Sequence, residues 1–238
     1  MQLRALRAAS SPIYIAEGDI ANVMCIWGWN AYGQLGDQTT TDRSSPVQAW
    51  YLVTVGDVAV SLSMDPILTF TVSAVTGALS CGDATTTVAS ATNTVNLGHM
   101  SSTTAHPIGG QSLNVATNAA SGYTVSVSYN AAMSGASSGH AFANVGGTNA
   151  SPAAWPSNGT EAFGYTTESS SLSGTPARFH SNKWAQLTTS GAEIMRNTTT
   201  PGVAGDTNCI AFQASEAANT PADVAYTTTV LYSVLPLF

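Results

Sequence analysis

The side chains that most often carry out chemistry in enzymes are few and scattered in this sequence of 238 residues. The four histidines, at positions 99, 106, 140 and 180, lack the His-Glu-x-x-His spacing that places two zinc ligands on one helix face. The Gly-x-Ser-x-Gly elbow of serine hydrolases is also absent. The glutamates have no supporting context, although the carboxylate pair of a glycosidase meets only in the fold. We therefore predict that the protein is not an enzyme.

Three cysteines are present, Cys25, Cys81 and Cys209, without a Cys-x-x-Cys pair or another metal-binding spacing. Cys81 and Cys209 both fall in the long strand-rich region, which favours a disulfide between them in an oxidising compartment. Three reduced, buried thiols are the alternative. Asp83 and Asp206 could assist Ca²⁺ binding near turns, but the spacing of a calcium-binding loop is missing. No metal and no cofactor is predicted.

The composition is poor in charge, with 8% Asp, Glu, Lys and Arg against roughly 25% in ordinary soluble domains. Ser, Thr, Asn and Gly supply the polarity instead, which is typical of secreted and surface proteins and predicts an extracellular or cell-surface location. The net charge of −7 and the scattered basic residues argue against nucleic acid as a partner. Because no stretch of eighteen apolar residues occurs, no membrane span is predicted.

The elements that must position any site are strands. Apolar and polar residues alternate over 58–64, 68–74 and 123–129, the pattern of antiparallel strands with one wet face. Short turn clusters between such runs favour a sandwich or jelly roll. We predict an all-β fold, an antiparallel β-sandwich or jelly roll with an extended, strand-rich N-terminal segment. Residues 131–176 are expected to form long loops, and helical turns are expected at most over 190–196 and 215–219.

Two regions differ in composition. Residues 1–50 contain three of the five tryptophans and a glycine-rich turn segment, whereas the alternating strand pattern begins at Tyr51. We predict an N-terminal segment over 1–50 and a β-sandwich domain over 51–238.

One motif in the N-terminal segment is specific. Residues 27–37 have the sequence WGWNAYGQLGD, and a polar turn then leads to Pro46-Val47. This resembles a single repeat of the chromosome-condensation-regulator family of β-propellers, whose repeats have the pattern W-G-x-N-x-x-G-Q-L-G followed by a polar turn and Pro-Val. A propeller closes only with several blades. One copy therefore implies either a local strand–turn–strand unit or the remnant of a longer array.

A second resemblance covers residues 55–238. The segments DPILTF at 65–70, LNVATNAASGYTVSV at 113–127 and YTTTVLYSVLPLF at 226–238 resemble secreted β proteins of candidate-phylum bacteria. The resemblance implies a secreted β-sandwich of surface or fibre type, and it transfers no catalytic residues.

Two groups of apolar residues need a cover that the predicted sandwich does not supply. One lies in the N-terminal segment and the other in the last strand, whose two faces are both apolar: Ile13, Ile15, Ile20, Val23, Ile26, Leu231, Leu235 and Leu237. Exposed strand edges invite pairing with another chain. We predict a homopolymeric subunit of an extracellular filament, pilus or surface layer, in which residues 10–30 donate a strand to the next copy near the last strand.

The alternative is a carbohydrate-binding or adhesive module that recognises a glycan or a host surface. Aromatic rings stack on sugar rings, and three residues in the loop-rich part of the chain are the candidates for such a contact: Trp155, Tyr165 and Trp184.

Overall fold

The chain divides into two compact units, Met1–Ser63 and Met64–Phe238. The computed structural model describes residues 3–8, 11–17, 24–48, 61–100 and 106–238, where the regular structure is β-strand and every strand ladder is antiparallel. The predicted all-β, antiparallel class is confirmed. Within these ranges no helix is long and apolar enough to cross a membrane.

The first unit is a four-stranded sheet in which each strand pairs with the next one along the chain. Its strands are β1 (Leu3–Ala8), β2 (Ser11–Glu17), β3 (Met24–Gly28) and β4 (Arg43–Gln48). Few residues separate β1 from β2 and β2 from β3, and closing a short loop costs little entropy; residues 29–42 form the longer connection from β3 to β4. The inner strands β2 and β3 each have a partner on both sides.

The second unit contains a four-stranded sheet, a three-stranded sheet and three short strand pairs. Its strands are β5 (Leu68–Ala74), β6 (Ser80–Cys81), β7 (Ala84–Thr85), β8 (Ile108–Thr117), β9 (Tyr123–Tyr129), β10 (Ser134–Gly135), β11 (Ala153–Ala154), β12 (Ala162–Thr167), β13 (Lys183–Trp184), β14 (Ala192–Asn197), β15 (Gly202–Ser215), β16 (Tyr226–Thr227) and β17 (Val230–Pro236). The larger sheet has the order β12-β15-β8-β5, and the smaller has the order β14-β9-β17.

One hydrophobic cluster draws on both sheets of the second unit. Leu113 and Val115 of β8 belong to it together with Val125 and Val127 of β9 and Ile194 of β14. The polar residues between the apolar ones on β9 are half-buried, so the alternation predicted for 123–129 is confirmed. Burying each such side chain contributes roughly 1.5–3 kcal/mol, which holds the two sheets on a common core.

Several local expectations are wrong. The 131–176 region is not only loop, since it contains β12, whose six residues are all buried. Gly164 lets β12 lie close to the Ala185 carbonyl and the Val145 side chain, where a Cβ atom would clash. The helical turn expected at 190–196 is wrong: residues 192–197 form β14, because pairing between strands overrides a weak local helix preference. After β15 ends at Ser215, the chain makes a single hydrogen-bonded turn over 217–220 and no helix. Residues 61–64 form no strand, and 58–60 lie outside the described residues.

Candidate functional site

Two of the four outer strand edges of the second unit are covered by its own loops. The backbone of Tyr165 in β12 exchanges two hydrogen bonds of 2.9 Å with that of Ala185. On β14, the Asn149 side-chain amide donates to the carbonyl of Glu193 (2.8 Å), and the Thr167 hydroxyl donates to that of Ile194 (2.8 Å). Several backbone groups at these two edges therefore have partners within the unit, which obstructs strand addition there.

The other two edges, β5 and β17, are open. Each strand has one ladder, β5 with β8 and β17 with β9, and no other hydrogen bond among the described residues reaches their backbones. The two strands lie on the same side of the unit, because the rings of Phe70 and Tyr232 meet edge-on with centroids 6.2 Å apart. Two unpaired ladders are therefore presented next to each other.

The outward face of β17 carries two exposed leucines on either side of Ser233. Leu231 and Leu235 are 48% and 62% exposed, and Phe238, just after the strand, is 67% exposed. Ile67 and Leu68 are exposed at the start of β5. Neither β5 nor β17 contains a charged residue. Sheet proteins usually protect an edge with charged side chains, bulges or a covering loop, and this pair of edges has none of these within its strands.

Such a surface can bind an added β-strand. The backbone amides and carbonyls of an open edge supply the ladder hydrogen bonds, and exposed leucines supply apolar area that a partner would bury. This arrangement, the β5–β17 edge surface (residues 67–74 and 230–238), is the candidate functional site. It includes the predicted contact residues Leu231 and Leu235, and also Leu237, which is half-buried.

The described members of the N-terminal group of predicted contact residues lie in the sheet of the first unit. Ile13 and Ile15 lie in β2, where they are opposite residues of both β1 and β3. Ile26 is buried within the first unit. Ile20 and Val23 lie outside the residues whose structure is described. The described strands β2 and β3 are paired on both edges inside their own sheet, and donation of a strand by residues 10–30 to another copy stays a prediction.

The aromatic candidates for glycan contact are covered by protein. Tyr165 is 0% exposed and Trp184 is 2% exposed. Trp155 is half-buried and packs edge-on against Trp184, with ring centroids 5.1 Å apart. The Tyr165 hydroxyl accepts a hydrogen bond of 2.7 Å from the Asn149 side chain. The rings of Tyr165 and Trp184 therefore pack the interior, and the contact of the three residues with a glycan stays a prediction.

The structure brings Cys81 and Cys209 together in a disulfide. It ties β6 to the central strand β15 and lies in a second buried cluster with Trp184. Cys25 is a free, half-buried thiol in the first unit. The disulfide closes the chain over a sequence separation of 128 residues, and restricting so long a loop in the unfolded chain stabilises the fold by a few kcal/mol.

The glycine-rich turn of the first unit is organised around a buried amide. The Asn30 side chain donates to the carbonyls of Thr39 (2.8 Å) and Thr41 (3.1 Å), and its Oδ1 accepts from the Leu35 amide (2.9 Å). Arg43 Nε lies 2.6 Å from Asp37 Oδ2. Partial burial would raise the pKa of Asp37, but hydrogen bonds from Arg43, Thr39 and Asn30 outweigh it and lower that pKa to about 2. The motif residues thus shape a turn.

The other close contacts of titratable side chains also hold parts of the fold together. The Glu161 carboxylate accepts from the Thr220 hydroxyl (2.6 Å) and the Ala143 amide (2.7 Å) and lies 2.9 Å from His140 Nε2. Burial opposes ionisation, yet these bonds lower the pKa of Glu161. No three His, Cys, Asp or Glu residues of the described ranges are grouped so that they could hold a metal ion. Asp83 and Asp206 instead accept hydrogen bonds from Ser181 and Tyr123.

Comparison with known families supports one of the two resemblances. Residues 24–61 match the regulator of chromosome condensation (RCC1) repeat. This confirms the resemblance inferred from residues 27–47, and the four-stranded first unit contains the described part of the matched segment. The match covers a minor part of the chain. No curated protein matches the sequence, and the resemblance of residues 55–238 to secreted bacterial β proteins stays a prediction.

Sequence patterns indicated only half of the β5–β17 edge surface. The apolar residues on both faces of the last strand pointed to Leu231 and Leu235. Nothing in residues 68–74 distinguishes an edge strand from an inner one, because alternation reports which faces are buried and not which edges are paired. The absence of charge from both strands was the one available signal.

Proposed function

We propose that this chain is a structural subunit of an extracellular filament, pilus or surface layer, which assembles with further copies of itself through the β5–β17 edge surface. The observation that carries the proposal is the uncharged outer face of β17, with Leu231 and Leu235 exposed on either side of Ser233, beside a second open edge. The fold proposed for the second unit is a β-sandwich of surface-protein type, and its role is non-catalytic.

Energetics favour a protein partner at this surface. Burial of exposed apolar surface lowers the free energy by roughly 25 cal/mol per Å². An added strand also completes the ladder hydrogen bonds of the open edge. The surface charge does not oppose association of two copies here, because neither strand carries a charged residue even though the chain has a net charge of −7. A second copy is therefore an acceptable occupant of the edge.

The proposed location rests on two features. A buried disulfide is stable in an oxidising compartment and rare in the cytosol, and the chain contains the Cys81–Cys209 bond. Neutral hydroxyl and amide groups in place of charge are typical of secreted and surface-layer proteins. Both features support a protein that acts outside the cell.

This proposal differs from the sequence-based prediction in the strands that contact the next copy. Residues 11–17 and 24–28 are paired on both sides, so donating them would require breaking two ladders for each. Edge-to-edge association of β5 and β17 breaks none. We therefore place the contact in the second unit and leave the first unit as an intact sheet.

Sedimentation velocity and negative-stain microscopy of the purified chain over a range of concentrations test this proposal. Wild-type protein is expected to form oligomers or filaments, and Leu231→Lys with Leu235→Lys to shift the population to monomer by at least tenfold in apparent dissociation constant. Val224→Lys is the matched control, since Val224 is exposed outside β17. A wild-type chain that stays monomeric at high concentration, or assemblies that tolerate both lysines, would overturn the proposal.

A further inference from the structure

A short segment before β5 is held by side chains at the end of β8 and just after it. Asn118 donates from Nδ2 to the carbonyl oxygen of Asp65 (2.7 Å), and its Oδ1 accepts from the amide of Ile67 (2.8 Å). The Thr117 hydroxyl donates to the carbonyl of Ile67 (2.7 Å). The peptide bond between Asp65 and Pro66 is thus fixed by hydrogen bonds on both of its sides, although both residues are exposed to solvent.

An aspartate followed by proline forms a chemically reactive peptide bond. The aspartate carboxylate can attack the carbonyl carbon of its own residue and close a five-membered cyclic anhydride. Proline nitrogen is a favourable leaving group because it departs as a basic secondary amine once it is protonated. Since proline has no backbone N–H, its nitrogen cannot attack the side chain to form the competing succinimide.

The surroundings of Asp65 suit this reaction. No hydrogen bond or ion pair from another described residue engages the Asp65 carboxylate, so it is available as a nucleophile. When it attacks, negative charge develops on the Asp65 carbonyl oxygen, which is the atom that Asn118 Nδ2 already contacts. A preorganised donor at that oxygen stabilises the tetrahedral intermediate in the way that an oxyanion hole does. The hydrogen bonds that Asn118 and Thr117 make with Ile67 also restrain the Asp65–Pro66 peptide bond in one geometry.

We propose that the Asp65–Pro66 bond is a self-cleavage site whose oxyanion is stabilised by Asn118. The Asp65 carboxylate oxygen bonds to its own carbonyl carbon, and the carbon–nitrogen bond to Pro66 breaks. The nitrogen takes a proton from the acidic medium as it leaves. Water then opens the anhydride and leaves a carboxyl-terminal Asp65 and an amino-terminal Pro66. Overall, one water molecule is consumed, and no oxidant or cofactor is needed.

This event is a single turnover within one chain and does not depend on the proposed assembly. It separates the residues up to Asp65 from those that follow, and the boundary between the two compact units lies at Ser63 and Met64. The second unit keeps all of its strands and its disulfide after cleavage, since β5 begins at Leu68. Cleavage in mildly acidic surroundings would therefore leave all strands of the second unit and its disulfide on one fragment.

The test follows cleavage of the purified full chain at mildly acidic and neutral pH by intact-mass spectrometry. At acidic pH we expect two products whose masses sum to that of the chain plus one water, with Pro66 as the new amino terminus. The native chain should cleave at least about tenfold faster than the same chain in concentrated urea, because only the fold places Asn118 against the scissile carbonyl.

Asn118→Ala and Thr117→Val separate stabilisation of the oxyanion from simple anchoring of the segment. Asn118→Ala removes the donor to the Asp65 carbonyl, so its cleavage rate should fall to that of the urea-treated chain. Thr117→Val removes an anchoring hydrogen bond to Ile67 but keeps that donor, so it should cleave at close to the wild-type rate. Asp65→Ala removes the nucleophile and should not be cleaved. Native cleavage no faster than in urea, a wild-type rate in Asn118→Ala, equal losses in Asn118→Ala and Thr117→Val, or a rate that depends on protein concentration would each overturn the proposal. The native-to-urea comparison holds even if a variant folds poorly.

Discussion

The hydroxyl of Tyr232 in the last strand donates a hydrogen bond of 2.8 Å to the side-chain carbonyl of Gln111 in β8. The same tyrosine ring meets Phe70 of β5 edge-on. Tyr232 therefore connects the smaller sheet to the larger one at the side where both sheets end in an open edge. The β5–β17 edge surface is consequently a fixed surface, held by contacts between the sheets as well as by the ladders within them.

Tyr232→Phe tests this connection. The change leaves the oxygen of the buried Gln111 without its partner, and an unsatisfied buried acceptor costs about 1–3 kcal/mol. We expect urea denaturation to show a decrease of that size in the free energy of unfolding. Ser233→Ala, at an exposed position of the same strand, should change it by less than about 0.5 kcal/mol. Equal stability of the two variants would contradict the role assigned to the Tyr232 hydroxyl.

Alkaline pH should unfold the second unit through its buried tyrosines. Burial raises the pKa of Tyr165 to about 12 and also raises the pKa of Tyr123 and Tyr232. Above the unfolded-state value near 10, the unfolded chain releases these protons while the native chain keeps them. Stability is therefore complete below pH 10 and falls as pH rises toward 12, by roughly 1.4 kcal/mol per pH unit for each such tyrosine.

Thermal denaturation monitored by circular dichroism between pH 8 and pH 12 measures this effect. Tyr165→Phe removes one titrating group and should flatten the decline above pH 10. A melting temperature that stays constant up to pH 12 would be inconsistent with the burial of these phenols.

Removal of the Cys81–Cys209 disulfide should destabilise the second unit. Replacing both cysteines by alanine frees a long loop in the unfolded chain, and the free energy of unfolding should decrease by about 2–5 kcal/mol. Denaturation of the wild-type chain with and without reductant gives the same comparison. Cys25→Ala is the control, because Cys25 has no disulfide partner in the structure, and a similar loss from that variant would show that the effect is not due to the crosslink.

Acid should weaken the turn of the first unit only at very low pH. Hydrogen bonds from Arg43, Thr39 and Asn30 outweigh partial burial and lower the pKa of Asp37 to about 2. A carboxyl whose folded-state pKa is lowered contributes stability above its unfolded value, and that contribution is lost as pH falls toward 2. Carboxyl chemical shifts followed by NMR should give a midpoint near 2 for Asp37, and Arg43→Gln should raise it. A midpoint at the ordinary value would show that these bonds are absent in solution.

Sequence patterns predicted strands correctly where buried and exposed residues alternate regularly along the chain. Alternation located β5 and β9, and the doubly apolar last strand identified Leu231 and Leu235 as residues that need a cover. It could not locate β12, because small residues such as Gly164 pack closely without producing an apolar period. It also could not show that β2 is paired on both sides, since pairing depends on residues elsewhere in the chain. The contact between Asn118 and Asp65 joins positions 53 residues apart and carries no local signature.

The Cys81–Cys209 bond also determines how the second unit responds to mechanical tension. When force is applied to the chain before Cys81 and after Cys209, the disulfide carries it. The segment between the two cysteines is therefore shielded from extension. With a sequence separation of 128, that segment corresponds to roughly 430 Å of fully stretched chain. Under such a force the second unit would therefore extend only in its outer segments, which contain β5 and β17, and the segment between the two cysteines would stay folded or slack until the bond is reduced.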